Sequence, residues 1–450
     1  MSVAVVILAA GMGSRMKSEL PKVLHQVAGA PLLVHTMRTA EQINAQKVAV
    51  ITGHGADLVT TAATDYLEDA ICVQQPEQLG TADAVKHAAT TLDGFQGDVI
   101  VLYGDTPFVR PETLKAMLAK RKEGASVVVL GFHAADPARY GRLKVASDSL
   151  NAIVEYKDAT EAEREIDLCN SGVICASASE LFSLLGDVTN DNASSEYYLT
   201  DIVGLARDRG LNCAAIACGE AETMGVNSRI DLAAAEATFQ DAARYEALDN
   251  GTTLVAADTV YFSYDTIIGR DVIVEQNVVF GVDVTVETGA RIRAFSHLEG
   301  CHVSRDAVVG PYARLRPGAE LGNGAKVGNF VEIKNAQIGE GAKVNHLSYI
   351  GDAYVGEEAN IGAGTITCNY DGVFKHHTKI GARAFIGSNT MLVAPVSIGD
   401  DAMTGSGSVI THDVGDKALA IGRAKQQNKD GLAHRLMSKL KAAKAAQKKD

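Results

Sequence analysis

From residue 268 onward one aliphatic or aromatic side chain returns at every sixth position: Ile268, Val274, Phe280, Val286, Ile292 and Leu298, then Val309, Leu315, Leu321, Val327 and Ile333. The register slips and resumes at Ile338, Val344 and Ile350, at Val355 and Ile361, and after an insertion at Ile380, Ile386, Leu392 and Ile398. Chance does not sustain that spacing. A six-residue repeat predicts a solenoid of short strands and tight corners, a parallel β-helix. Each hexad sends one aliphatic residue into a narrow triangular core, and three hexads are expected to complete a coil. Glycine follows several of these residues, as in Ile268-Gly269, Ile338-Gly339, Ile361-Gly362 and Ile398-Gly399. An isolated prism of this kind exposes long flat faces, so association with further copies is expected.

The first half follows another rhythm. Apolar runs at Val3 to Leu8, Val48 to Thr52, Ile71 to Val73, Val99 to Tyr103 and Ser126 to Leu130 alternate with amphipathic stretches at 31–42, 81–91 and 111–122. Such alternation predicts an α/β domain with a doubly wound, Rossmann-like and mostly parallel sheet, whose ligands sit at the carboxyl ends of the strands. The first run leads into Leu8-Ala9-Ala10-Gly11-Met12-Gly13-Ser14-Arg15, with Pro21-Lys22 shortly after. Gly11 and Gly13 permit positive φ, so backbone N–H groups can converge on an anion. Arg15 and Lys22 add a planar fork and a mobile point charge, both suited to phosphate. The string is neither a P-loop, since no G-x-x-x-x-G-K-[ST] occurs, nor a dinucleotide fingerprint, since Met16 replaces the third glycine. Asp105 follows the run ending at Tyr103 and faces the same mouth as Gly11. It is either a helix-capping acid or an oxygen ligand for Mg²⁺, an ion that takes one or two protein oxygens beside bound phosphate. Residues 228–248 are Ala-rich, free of Gly and Pro, and open with Ser228 as an N-cap, which predicts one long linking helix. The expected domains are therefore 1–227, the linker 228–248, and the β-helix 249–450.

Composition removes several function classes. Among 450 residues, Lys and Arg number 42 against 55 Asp and Glu, a formal charge of −13, and there is no Trp. An acidic chain poor in aromatics is not built as a nucleic-acid platform. No basic region precedes the short apolar N-terminal run, and no uninterrupted apolar stretch is long enough for a membrane span. Seven Cys without C-x-x-C pairs fit reduced thiols, so a cytoplasmic protein is expected.

The segment from Leu8 to Lys22 resembles the L-A-A-G-x-G-[ST]-R-M…P-K signature of sugar-1-phosphate nucleotidyltransferases. The resemblance implies that Leu8, Ala9, Ala10, Gly11 and Lys22 bind UTP, with Arg15 and Lys22 stabilising charge on its phosphates. It implies further contacts through Gln75, Gly80 and Thr81 to the uracil ring, through Tyr103, Gly104 and Asp105, and through Gly141, Glu155 and Asn170 to the sugar. Asn227, in Gly225-Val226-Asn227, would be the second Mg²⁺ ligand beside Asp105; read without the resemblance it is a turn residue. Departures are small: Met12 where a basic residue is common and Ser14 for Thr.

The hexad ladder resembles hexapeptide-repeat acyltransferases, whose coils are left-handed and trimeric. Arg316-Pro317, Phe330 to Lys334, His346 to Tyr349, Asn360 to Thr365 and Cys368 to Gly372 match more narrowly. With the N-terminal signatures they resemble, over nearly the whole chain, the family of bifunctional bacterial N-acetylglucosamine-1-phosphate uridylyltransferases/glucosamine-1-phosphate N-acetyltransferases. That family makes UDP-N-acetylglucosamine for peptidoglycan and lipopolysaccharide. The resemblance implies acetyl transfer from acetyl-CoA to glucosamine 1-phosphate, then Mg²⁺-dependent uridylyl transfer from UTP, in a homotrimer that needs neither nucleic acid nor membrane. A sugar amine must lose a proton as it attacks a thioester, a task suited to neutral His346. Arg316 and Lys334 would hold the substrate phosphate, and Tyr349, Asn360, Asn369 and Tyr370 the sugar. Ala363, Ser388, Ser406 (where Ala is usual) and Arg423 would line the acetyl-CoA site. The alternative is a nucleotidyltransferase whose β-helix serves only as a trimerisation scaffold. A cut near residue 228 is expected to separate the two activities.

Overall fold

The computed structural model describes residues 2–138, 140–146, 149–192 and 194–447. The chain divides into two compact units, Met1–Glu246 with Tyr261–Asp265, and Ala247–Val260 with Thr266–Asp450.

In the first unit the sheet runs in the order Cys213–Cys218, Val127–His133, Leu168–Ser177, Asp98–Tyr103, Val3–Ala9, Lys47–Thr52, Ile71–Gln74. The sheet is mixed rather than wholly parallel, because Leu168–Ser177 is antiparallel to both neighbours. A parallel return needs a crossover, usually helical. Here the chain instead comes back through the hairpin Arg142–Ala146 and Ser149–Val154. Side-chain alternation along the first strand feeds two cores: Ala4 and Val6 pack on one face, and Val3, Val5, Ile7 and Ala9 on the other. Burying both faces stabilises this strand by roughly 1.5–3 kcal/mol per large aliphatic side chain. Ala10 is still buried, and the chain first becomes exposed at Gly11, in the cradle. The helix Arg229–Asp249 follows the sheet.

In the second unit, strands mostly of two to four residues, with seven-residue strands at Glu332–Ile338 and Tyr349–Val355, stack in parallel ladders. Ile273 pairs with Arg291, Val308 with Lys326, and Phe385 with Met403, each 18 residues or three hexads on. The hexad side chains from Val274 to Ile398 are buried, and only Ile268, at the first rung, is partly open. Buried alanines such as Ala307, Ala325, Ala342 and Ala359 fill the inner corners. Outer corners take positive φ without glycine at Phe295, Tyr312, Phe330 and Leu347, with φ between 52° and 59°. The insertion after Ile361 carries a bridge between Tyr370 and Lys375. The basic tail forms a helix at Leu432–Gln447 with nearly every residue exposed, and residues 448–450 of that tail lie outside the described residues.

Candidate functional site

The strands Val3–Ala9 and Asp98–Tyr103 pair Leu8 with Tyr103 at their carboxyl ends. There they open a cleft of about 280 Å³ lined by Leu8, Ala9, Ala10, Gly11, Lys22 and Asp105, with Gln75, Gly80, Thr81 and Tyr103 on its other wall. Gly104 closes its base by donating to the Leu8 carbonyl at 3.0 Å. Of the two glycines in the turn only Gly13 takes positive φ, at 61°, and a Cβ there would stand 2.6 Å from Lys22 Cβ. Gly11 has open space where its Cβ would be. The turn is thus shaped by Gly13, whose bare backbone lets Lys22 fold against it.

Lys22 Nζ donates to Asp105 Oδ2 and, at 3.0 Å, to Asn227 Oδ1. Two residues 122 positions apart in sequence are joined because Val226 N donates to the Asp105 carbonyl at 2.9 Å. One carboxylate and one amide oxygen form a hard donor pair of the kind Mg²⁺ accepts while keeping waters and substrate oxygens. The Lys22 ammonium, held between them, shows that the pair attracts positive charge. Arg15 lies apart from these three: it is exposed in the short turn Ser14–Met16, outside the cleft-lining residues.

Gln75 is buried and donates to Asp83 Oδ2 at 2.7 Å and to the Gly80 carbonyl at 3.3 Å, which fixes its amide at the cleft wall. A second chamber of about 370 Å³ shares Thr81, Tyr103 and Glu196 with the first and reaches Glu155 and Asn170. Gly141 abuts the Glu155 carboxylate and accepts from Asn170 N at 2.8 Å. Burial raises the Glu155 carboxyl above its ordinary value, against a hydrogen bond from Thr200 and with help from Asp201 and Asp158. Burial, then the carboxylates of Asp105 and Glu155, push the Tyr103 hydroxyl far up, so it remains a neutral donor. Tyr103 can occupy this place because Gly172, at φ 87°, has no Cβ to meet its ring.

On the β-helix, His346 Nδ1 donates to Asn329 Oδ1 at 2.7 Å, which leaves Nε2 with its lone pair facing outward. Asn329 and His346 are in register on adjacent coils. Backbone bonds carry the same column onward: Gly364 N donates to His346 O, Asn389 N to Ala363 O, and Gly407 N to Ser388 O. The Arg423 guanidinium then donates to Ser406 O at 2.7 Å. His346, Ala363, Ser388, Ser406 and Arg423 thus line one edge of the prism.

On the neighbouring face Arg316 pairs with Glu332 at 2.8 Å, and Glu332 stands in register with Tyr349. Lys334 occupies the same strand as Glu332, and its side-chain contact with Lys375, then its charge, lowers the Lys375 ammonium below the usual lysine range. Arg316, Lys334 and Lys375 therefore form a cationic group around Tyr349. Asn360 is in register with Lys343 on the His346 face. Asn369 and Tyr370 separate: Asn369 is buried and donates to Asp352, whereas Tyr370 is exposed and bonds the Gly372 carbonyl at 2.6 Å. Burial alone would raise the Asp352 carboxyl, but the amides of Asn335 and Asn369, with Lys334 and Lys375, hold it below its usual value.

Residues 5–167 match the MobA-like NTP transferase domain, and residues 377–412 match six repeats of the bacterial transferase hexapeptide. A Bifunctional protein GlmU from Ruegeria pomeroyi is 63% identical over 450 residues, covering all of both chains. The chain belongs to the GlmU family. Further GlmU relatives are 61% identical in Jannaschia sp., over 99% of this chain and 98% of theirs, and 59% identical in Paracoccus denitrificans, over 98% of each. In this GlmU-family chain, sequence reasoning missed Glu196 and Lys375. Glu196 reaches the cleft because Tyr197 bonds the Leu79 and Ala82 backbones. Lys375 sits in an insertion outside the hexad rhythm, and the bridge to Tyr370 that places it leaves no periodic signal.

Proposed function

We propose that this GlmU-family chain acetylates glucosamine 1-phosphate with acetyl-CoA at the His346 column and then couples the product to UMP from UTP at the Lys22 cleft. The observation that carries the reading is that a chain matched over its given length by a GlmU relative sets a Lys22–Asp105–Asn227 cradle and an exposed His346 with Nε2 unpaired by Asn329 on separate compact units.

In the first step the sugar amine attacks the thioester carbonyl, a C–N bond forms and the C–S bond breaks. His346 Nε2 takes the amine proton and returns one to the departing thiolate, while Asn329 holds the ring through Nδ1. Arg316, Lys334 and Lys375 bind the substrate phosphate, and Tyr349 and Asn360 orient the sugar. Ala363, Ser388, Ser406 and Arg423 carry the coenzyme along the carbonyl ladder.

In the second step a phosphate oxygen of N-acetylglucosamine 1-phosphate attacks the α-phosphorus of UTP and pyrophosphate leaves. Asp105 and Asn227 would hold Mg²⁺, which neutralises triphosphate charge and aligns the displacement when bound. Lys22 exchanges its carboxylate partner for phosphate oxygens as the nucleotide enters, and Arg15 swings in from the open side. Gln75 and Thr81 face the uracil, and Glu155, Asn170 and the Gly141 backbone the sugar hydroxyls.

Trimer formation is supported by the prism's outer rows. Phe385, Met403 and Leu419 form an exposed apolar row on one face, and Ile366, Met391 and Val409 form a second on the next. The third face carries His302, Glu320, Gln337, Tyr354 and Lys379. Both apolar rows are confined to the last coils, since the same columns carry Lys343 and Asn360 on the first face and Arg314, Glu332 and Tyr349 on the second; apolar rows of this kind suit association with further copies. Seven free cysteines fit a cytoplasmic setting, and among the described residues no helix is long and apolar enough to cross a membrane.

Supplying glucosamine 1-phosphate, acetyl-CoA, UTP and Mg²⁺ and following free thiol and pyrophosphate together tests both reactions. His346→Ala should abolish the thiol signal while pyrophosphate release from added N-acetylglucosamine 1-phosphate continues. Unchanged acetyl transfer in that variant would leave the β-helix as scaffold or the base elsewhere.

A further inference from the structure

After the helix Arg229–Asp249 and a first coil strand at Thr253–Leu254, the chain returns to the N-terminal unit for five residues, Tyr261–Asp265, before the coils resume. The return is tightly bonded. Gln240 and Phe262 exchange paired hydrogen bonds, Nε2 to the Phe262 carbonyl and Phe262 N to Oε1, each at 2.8 Å. Ser263 Oγ and Tyr264 N both donate to the Ala28 carbonyl, at 3.0 and 2.9 Å. Glu236 takes the Ala28 N–H at 2.8 Å, so both backbone groups of Ala28, in the short hairpin just after Lys22, are held from the linker side. Arg38 donates to the Tyr264 carbonyl and lies over its ring, and His35 meets that ring edge-on at 5.8 Å.

These contacts close a small apolar cluster of Met16, Val27, Leu32, Val226 and Ala235, with Leu232, Phe239 and Tyr264 packed against it. Met16 follows Arg15 in the phosphate turn, and Val226 precedes Asn227. The cluster thus backs the turn and the Asn227 segment at once, and includes neither Asn170, on Leu168–Ser177, nor Glu155, just past Ser149–Val154. We propose that Tyr261–Asp265 is a positioning strap for the nucleotide half of the uridylyl site, holding the phosphate turn and Asn227 in mutual register. This rests on the uridylyl-transfer reading of the cleft. A cut near residue 228 would therefore strip Leu232, Ala235, Phe239 and Tyr264 from beneath the site, rather than separate an intact domain.

The test uses the full chain with Tyr264→Ala, Tyr264→Phe and Gln240→Ala, measuring KM for UTP, KM for N-acetylglucosamine 1-phosphate, the Mg²⁺ concentration for half-maximal rate, and acetyl transfer as an internal control. Loss of backing at a distance is expected to raise KM for UTP and the Mg²⁺ requirement by about five- to tenfold. KM for the sugar phosphate and acetyl transfer should stay within about twofold, a spread inside ordinary surface-substitution effects. Tyr264→Phe, which keeps the ring and the backbone, should be less impaired than Tyr264→Ala. Should Tyr264→Ala fail to fold, Gln240→Ala carries the same expectation. The strap is refuted by unchanged UTP and Mg²⁺ dependence, by equal rises in both KM values, or by a Phe variant as impaired as Ala. A wild-type chain that releases no pyrophosphate would instead overturn the uridylyl-transfer reading itself.

Discussion

Gly13→Ala isolates what the phosphate turn contributes. A non-glycine residue in the left-handed region costs about 1–2 kcal/mol, and Gly13 sits at φ 61°. The added Cβ would also stand 2.6 Å from Lys22 Cβ. Lys22 has to retreat by about 1 Å to regain ordinary contact, and relieving such overpacking costs about 1–3 kcal/mol. Lys22 Nζ is the group joined to Asp105 and Asn227, so the retreat is passed to the atoms that meet the triphosphate. A misplacement of about 1 Å near reacting groups costs roughly a hundredfold in rate. Uridylyl transfer, followed by pyrophosphate release, should fall by that factor, with thiol release from acetyl-CoA unchanged. Gly11→Ala is the control: its Cβ meets nothing within 4 Å, so stability should move by less than about 0.5 kcal/mol, and only substrate KM should rise because Gly11 lines the cleft. Wild-type pyrophosphate release from Gly13→Ala, or equal damage from both substitutions, would refute the account of the turn.

Asn329→Leu removes the acceptor of His346 Nδ1–H; loss of a group that orients a base should lower kcat for acetyl transfer by about 10–100-fold without touching uridylyl transfer. An unchanged pH–rate profile and kcat would rule out the orienting role. Glu155→Gln tests a buried carboxyl whose proton is held more tightly in the folded chain than at the unfolded value of 4.5. Stability from that group is full below 4.5 and is lost as pH rises through the higher folded value. Thermal unfolding should then show Glu155→Gln more stable than wild type near neutral pH, with the gap closing on acidification; a variant less stable at neutral pH contradicts this. Asp352→Ala leaves the Asn335 and Asn369 amides without their acceptor; Asn335 is exposed and turns to water, but Asn369 is buried, and one buried unpaired amide costs about 1–3 kcal/mol. Denaturation of the β-helix at lower urea than wild type is the expected result, and an identical midpoint refutes it. Chelation with EDTA should stop pyrophosphate release and spare thiol release, since Asp105 and Asn227 belong to one unit and His346 to the other; equal loss of both signals would place the metal elsewhere.

Legibility differed between the halves for a physical reason. The strands Val3–Ala9, Lys47–Thr52 and Asp98–Tyr103 announce themselves because burial on both faces makes them continuous apolar runs. The strands Arg142–Ala146, Ser149–Val154 and Leu168–Ser177 are interrupted by polar residues such as Lys144, Asn151 and Asn170, so neither apolar continuity nor the antiparallel return could be read. Lys22, Asp105 and Asn227 were legible as separate turn residues; that one ammonium bridges the other two depends on the bond from Val226 N to the Asp105 carbonyl, which no local pattern encodes. The strap at Tyr261–Asp265 was hidden for the same reason, since its partners Ala28, Arg38 and Gln240 are dispersed along the chain.

In the β-helix the hexad residues point inward and specify the coil, while the outward positions are left free by the fold. Asn329, His346, Ala363, Ser388 and Ser406 occupy one such outward column, joined by successive backbone bonds. Replacing any of them leaves the interior ladder of Val327, Val344, Ile361, Ile386 and Thr404 intact. The periodicity that made the prism legible is therefore silent about its chemistry, because the core constrains one side of each rung and catalysis uses the other. In the N-terminal sheet the separation runs along the strand instead: burial on both faces dictates residues 3–7, and the cleft lining begins where that dictation ends, from Leu8 to Gly11. A change that alters rate at either site without altering stability should accordingly fall on an outward rung position or beyond a strand's carboxyl end, and Gly13 is the exception because its conformation serves both.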